Sequence, residues 1–165
     1  MTDPANAPSP PPQSEALPPP PRILVADDSK MVRMLLTKIL SSHGAVVVAV
    51  PDGQAALREA LLASFDLCIL DVEMPVMGGL EACSRLRATA FTKDLPVLFL
   101  TAHTDGETIE RAFAAGASDY LSKPIHAVLL WQRVSNLLLL AGLAREKRDL
   151  AQVLRLNPLP DKPQP

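Results

Sequence analysis

The sequence predicts an α/β fold: a doubly wound, five-stranded parallel sheet followed by an extended C-terminal helix. Three observations predict it. From Arg22 to about Leu140, short runs of apolar and β-branched residues alternate five times with stretches of helical periodicity. The central runs are apolar without alternation, as strands covered on both faces should be. The residues that follow the runs are polar and reactive, and the carboxyl ends of strands are where such sheets bind ligands.

The strand candidates are "RILVA" (22–26), "AVVVAV" (45–50), "DLCIL" (66–70), "LPVLFL" (95–100) and "SDYLS" (118–122). Between the first two, Val32, Leu35, Leu36, Ile39 and Leu40 recur at helical spacing, and His43-Gly44 closes that helix. Asp52-Gly53 turns the chain into a second helix over Gln54 to Ala63. Gly78-Gly79 precede a third that carries Leu80, Cys83 and Leu86 inward. Thr104 is the expected cap of a fourth running to about Ala115, and a fifth begins near Ile125 without a clear stop. Of the two common ways to close such a sheet, the flavodoxin-like order 2-1-3-4-5 sets strands one, three and four at the centre.

With 165 residues the chain has room for one domain with a sizeable core. A formal net charge of -2 with 21% charged residues argues against direct nucleic-acid binding. Nine of the 17 prolines fall within residues 1–21, which read as a disordered, Pro-rich tail with polyproline II character. That tail lacks the basic start and apolar run of a secretory signal. The apolar stretch "LLLLAGLA" reads as too short to span a bilayer. No membrane insertion and a cytoplasmic location are expected. Cys68 and Cys83 fit neither a redox nor a zinc spacing and read as core packing residues.

Asp27 and Asp28 follow the first strand, Asp71 the third, Thr101 the fourth, and Lys123-Pro124 the fifth. Singly, each has a plain explanation: a helix cap for Asp28, a loop carboxylate for Asp71, a turn hydroxyl for Thr101, a solvated amine for Lys123. Together they set three carboxylates, an ammonium and a hydroxyl at one mouth of one sheet. Carboxylates that close raise each other's pKa, and one lysine does not neutralise three of them. A hard divalent cation with oxygen ligands is the natural partner, and Mg²⁺ fits better than a soft-ligand metal. A carboxylate beside Mg²⁺, a lysine and a hydroxyl is the inventory for phosphoryl transfer onto that carboxylate, with Asp71 as the nucleophile.

Four motifs, "ILVADDS" (23–29), "DLCILDVEMPVMGG" (66–79), "PVLFLTA" (96–102) and "ASDYLSKP" (117–124), resemble the receiver domains of bacterial response regulators in order and spacing. The resemblance implies that Asp71 takes a phosphoryl group from a histidine kinase, a phosphotransfer protein or a small donor. It implies Mg²⁺ on Asp28, Asp71, the backbone carbonyl of Glu73 and, through water, Asp27. Lys123 would pair with the phosphoryl oxygens, Thr101 and Tyr120 would act as the switch, and the bond before Pro124 would be cis. Gly78 departs from the Asp often found there in the family, which removes no site group. Glu73 and His103, two residues past Asp71 and Thr101, are expected to tune phosphoryl lifetime; an exposed loop imidazole is the plain alternative for His103.

The receiver is expected over residues 22–140, a helical extension over 141–156 and a disordered tail over 157–165. In the extension Leu140, Leu143, Leu150 and Leu154 fall on a and d positions with Lys147 interrupting one layer, a short coiled coil or a solvated linker. The reading is a non-enzymatic, stand-alone receiver that switches its fourth helix, fifth strand and fifth helix to dock a downstream protein. A homodimer through that face or through the C-terminal helix is also expected. A phosphorylation-independent interaction module and a truncated part of a larger regulator remain open. An aspartyl-phosphate hydrolase is disfavoured, because the D-x-D pair and a cap domain are absent.

Overall fold

The computed structural model describes residues 18–103 and 105–156. The two tails read from composition lie, for residues 1–17 and 157–165, outside the described residues, as does Thr104. The elements are β1 (Arg22–Ala26), α1 (Lys30–Ser42), β2 (Val46–Val50), α2 (Gly53–Leu62), β3 (Leu67–Asp71), α3 (Gly79–Ala88), β4 (Val97–Thr101), α4 (Gly106–Ala114), β5 (Asp119–Ser122) and α5 (Ala127–Leu156). The five strands are all parallel, in the order β2-β1-β3-β4-β5.

Strand periodicity divides the core cleanly into two layers. Leu24, Ala26, Cys68, Leu70, Val97 and Phe99 face α2 and α3, meeting Ala56, Ala60, Ala82, Cys83 and Leu86. The alternate residues Ile23, Val25, Leu67, Ile69, Leu98 and Leu100 face α1 and α5, meeting Leu36, Leu40, Leu130 and Val134. Fully burying each large aliphatic side chain contributes about 1.5–3 kcal/mol, so both layers stabilise the sheet heavily. β3 and β4 are buried at every position, which is why their sequences show no alternation.

The helix starts follow from short polar caps. Ser29 accepts from the Val32 N–H, Asp52 from Ala55 and Asp105 from Thr108. The cap of α4 is thus Asp105, one residue past the expected Thr104: its carboxylate accepts both the Thr108 N–H and the Thr108 hydroxyl. The C-terminus of α1 is closed by His43 and by Gly44 at φ +86°. Leu35 is 42% exposed rather than packed inward, and Leu80 is only partly buried. Burial pushes the Cys68 and Cys83 thiols up, in keeping with core packing.

α5 runs unbroken through Leu140 and Ala141, where the sequence reading divides domain from extension. Leu140, Leu143, Leu150 and Leu154 are all exposed along it. The short run "LLLLAGLA" understates this helix: with its apolar flanks it contains an 18-residue window of mean hydropathy 1.5, long and apolar enough to cross a membrane by length and composition. Its first half nevertheless buries Leu130, Val134 and Leu137 on the sheet.

Candidate functional site

The site forms where β1 and β3 end side by side. β1 delivers Asp27 and Asp28 into the turn before α1, and Asp71 is the last residue of β3. Carboxylate oxygens of Asp27, Asp28 and Asp71 all lie within 4.8 Å of one another. Asp27 is fully buried, Asp71 nearly so, and Asp28 is exposed. β5 ends at Ser122, level with Thr101 of β4, and hands over Lys123, whose Nζ lies 2.9 Å from Asp27 Oδ2 and 3.2 Å from Asp71 Oδ2. The Lys123-Pro124 peptide is cis.

The electrostatics of the cluster are unequal. Burial pushes the Asp71 carboxyl above its ordinary value; the Lys123 ammonium opposes that shift and the Asp27 charge adds to it. Burial works against the charge on Lys123, yet the hydrogen bonds and charges of Asp27 and Asp71 outweigh it and raise its pKa. One ammonium is thus shared between two carboxylates while Asp28 faces solvent.

Neither aspartate caps α1 through its side chain, because Ser29 does so. That removes the plain explanation of Asp28. Asp27 Oδ1 instead accepts the Ser29 N–H at 2.9 Å, so both oxygens of Asp27 are engaged within the protein. Arg33 completes the turn: its guanidinium donates to the carbonyls of Asp27 (2.7 Å) and Asp28 (3.0 Å). Sequence reasoning passed over Arg33; an arginine one turn into a helix that follows two aspartates was the available signal.

Thr101 closes β4 and is buried. Its hydroxyl donates to the His103 carbonyl (2.8 Å) and accepts the His103 N–H (3.0 Å), so it is held by the β4–α4 loop. Tyr120, in β5, meets Phe113 of α4 edge-on at 6.1 Å between ring centroids. Glu73 and His103 are exposed and face each other, with Oε1 3.5 Å from Nε2. Gly79, not Gly78, is the demanding glycine: a Cβ there would stand 2.1 Å from the Asp71 carbonyl oxygen, which lets α3 begin directly against the site strand.

The donor set is all oxygen, two buried carboxylates and one exposed, which suits a hard divalent cation and leaves the Asp28 side open to solvent. The family model described as the response regulator receiver domain matches residues 23–135. The chain belongs to that family. It is the receiver domain of a two-component response regulator, a regulatory module.

The receiver is 42% identical over 105 residues to a protein-glutamate methylesterase/protein-glutamine glutaminase of Caulobacter vibrioides, a match covering 62% of this chain and 30% of the relative. It is 36% identical over 116 residues to the transcriptional regulatory protein RprY of Bacteroides fragilis, covering 70% of this chain and 48% of that one. The chain therefore spans less than half the length of these curated relatives. Among solved structures, the chemotaxis protein CheY4 of Vibrio cholerae superposes with a TM-score of 0.69 at 34% identity, over 72% of this chain and 98% of its own. The receiver domain of a sensor histidine kinase from Pseudomonas aeruginosa, with a magnesium ion coordinated in its active-site cleft, gives 0.68 at 28% identity, over 72% and 98%.

Proposed function

We propose that this receiver takes a phosphoryl group onto Asp71 and changes its docking surface in response. One observation carries the reading: Asp71 Oδ2 sits 3.2 Å from Lys123 Nζ, with Asp27 and Asp28 alongside. An Asp71 carboxylate oxygen attacks phosphorus as the donor's P–N or P–O bond breaks; the leaving group keeps the bonding pair and takes a proton from solvent. The raised pKa of Asp71 marks a carboxylate whose negative charge is poorly solvated, and acylphosphate formation removes that charge from its oxygen. Lys123 is placed to follow the new phosphoryl oxygens.

Asp28, Asp71 and the backbone carbonyl of Glu73 would hold Mg²⁺, with Asp27 acting through water because Ser29 and Lys123 already engage its oxygens. When bound, the ion would neutralise charge shared by the carboxylates and the transferring oxygens. The magnesium in the Pseudomonas aeruginosa neighbour supports this assignment.

For Thr101 to reach a phosphoryl group it must exchange its two hydrogen bonds to His103, each worth about 0.5–1.5 kcal/mol. Phosphorylation thus selects between two arrangements of one hydroxyl, a population shift. Tyr120 packs on Phe113 and would turn inward behind Thr101, altering the α4, β5 and α5 face. The donor is a histidine kinase or phosphotransfer protein, the recipient a downstream protein or a second copy meeting that face or the C-terminal part of α5. Action in the cytoplasm, without direct contact to nucleic acid or insertion in a membrane, completes the reading. The greater length of the curated relatives favours one further reading of output, in which the receiver governs a module elsewhere in a longer regulator.

The test is intact mass after incubation with Mg²⁺ and a small acyl-phosphate donor. A single phosphoryl adduct on the wild type, absent from Asp71→Asn, is expected. No adduct, or an equal adduct on Asp71→Asn, removes the assignment.

A further inference from the structure

At the opposite end of the sheet from the carboxylates, below the amino-terminal ends of β3, β4 and β5, α5 continues past the domain and leaves a groove of about 690 Å³. Its other wall is the α2–β3 and α3–β4 loops. Phe65, Pro96, Leu140 and Ala141 line it, and Phe91 stands at its rim, 62% exposed. The charges around it are already matched: Arg145 lies 3.5 Å from Asp66 and Arg148 2.5 Å from Asp94. What the groove offers is therefore a seat that is half apolar, with Phe65 and Phe91 as its aromatic faces among already paired polar groups, rather than a site for an ion.

The chain enters the fold at this same place. The Arg22 N–H donates to Asp66 Oδ2 (2.8 Å), its guanidinium donates to the Ser64 carbonyl (3.2 Å), and the same group lies 5.4 Å over the Phe65 ring. Ser64, Phe65 and Asp66 all line the groove. Residues 1–17, which lie outside the described residues, are consequently tethered at its mouth through Pro18–Pro21. That segment carries Pro4, Pro8, Pro10, Pro11 and Pro12.

We propose that this proline-rich segment occupies the groove of its own chain, with residues 8–12 laid against Phe91. Aromatic-lined grooves take proline-rich segments because proline rings bury apolar surface while the preset backbone loses little entropy on binding. At about 3.1 Å per residue, residues 8–12 cover roughly 16 Å and the six steps from Pro12 to Pro18 span about 19 Å. Affinity need not be high: a short tether holds its segment at millimolar effective concentration, so an intrinsic Kd of about 1 mM leaves half or more of the molecules closed. Docking would cover Phe91 and Leu140 and brace the start of the α5 overhang.

Every described element lies within residues 22–156, so a chain starting at Pro18 keeps the fold and serves as the reference. Backbone amide NMR spectra of the full chain and of residues 18–165 are expected to differ at Phe91, Leu140 and Ala144, equally at high and at tenfold lower concentration. Phe91→Ala, and the combined Pro10→Ser, Pro11→Ser and Pro12→Ser variant, should each remove at least half of the difference. A synthetic peptide of residues 1–17 at millimolar concentration should restore it to the shortened chain. Identical spectra, or differences confined to other residues, overturn the proposal. Differences that fade on dilution overturn it as well, since they assign the groove to a second copy.

Discussion

Lys123→Ala tests the electrostatic logic of the site most directly. Asp27 is fully buried, and the Lys123 ammonium at 2.9 Å is the partner of its Oδ2. Removing one member of a buried ion pair costs about 3–5 kcal/mol because the other charge is stranded. Lys123 is 25% exposed, so water relieves part of that penalty and about 2–3 kcal/mol is expected. For a receiver of this size the loss corresponds to a fall in Tm of roughly 8–12 °C. The assay is thermal unfolding in chelator, followed by circular dichroism. Adding Asp27→Asn to Lys123→Ala should return most of the loss, since the stranded charge is then gone. A Tm within about 2 °C of wild type for Lys123→Ala, or a double variant no more stable than the single one, would refute the reasoning. The lysine contribution should be flat from pH 6 to 9. Its folded pKa lies above the ordinary 10.5, so the stabilisation is complete below that value and is lost only as pH climbs through the raised one.

Four further outcomes are expected. Mg²⁺ at ten times its Kd should stabilise the protein by about 1.4 kcal/mol in thermal melts, and an equal gain in Asp28→Asn would remove Asp28 from the cation site. Asp71 has a raised pKa, so its cost to folding is absent below 3.8 and grows as pH rises through the folded value; without Mg²⁺, Asp71→Asn should therefore gain on wild type as pH rises through that window, and parallel stability curves would contradict this. Gly79→Ala drives a Cβ into the Asp71 carbonyl and should cost about 1–3 kcal/mol in urea melts while lowering phosphorylation, whereas Gly78→Ala, whose nearest contact is 3.2 Å, should cost less. Glu73→Ala and His103→Ala should each change the rate of phosphoryl loss followed by intact mass; rates equal to wild type in both would leave that exposed pair without a role.

The fold was legible because burial wrote it into the sequence. β3 and β4 lie beneath helices on both faces, so their runs stand out as unbroken apolar stretches. The strand ends were less so. Asp71 and Thr101 read as loop residues, yet both belong to the ladder, opposite Leu100 and Ser122. Polarity suggests that a strand has ended, while backbone pairing is indifferent to the side chain. Leu95-Pro96 read as strand because it is apolar, but pairing in β4 begins at Val97. The site carboxylates and Lys123 were legible from position alone, as each follows a strand of one parallel sheet. Arg33 and Gly79 were not, because one acts by holding carbonyl groups and the other by lacking a side chain. Neither function leaves a mark in composition or periodicity.

The unbroken course of α5 makes it a lever. From Leu137, the last residue it buries on the sheet, to Leu156 the helix projects about 28 Å at 1.5 Å per residue. A tilt of about 5° at the sheet would carry its tip some 2.5 Å by that geometry. The pairs Arg145–Asp66 and Arg148–Asp94 act as stays, and exposed pairs of this kind hold with at most about 1 kcal/mol each. A displacement too small to disturb the packing of Leu130 and Val134 thus becomes, at the far end, a movement comparable to half the pitch of a helical turn.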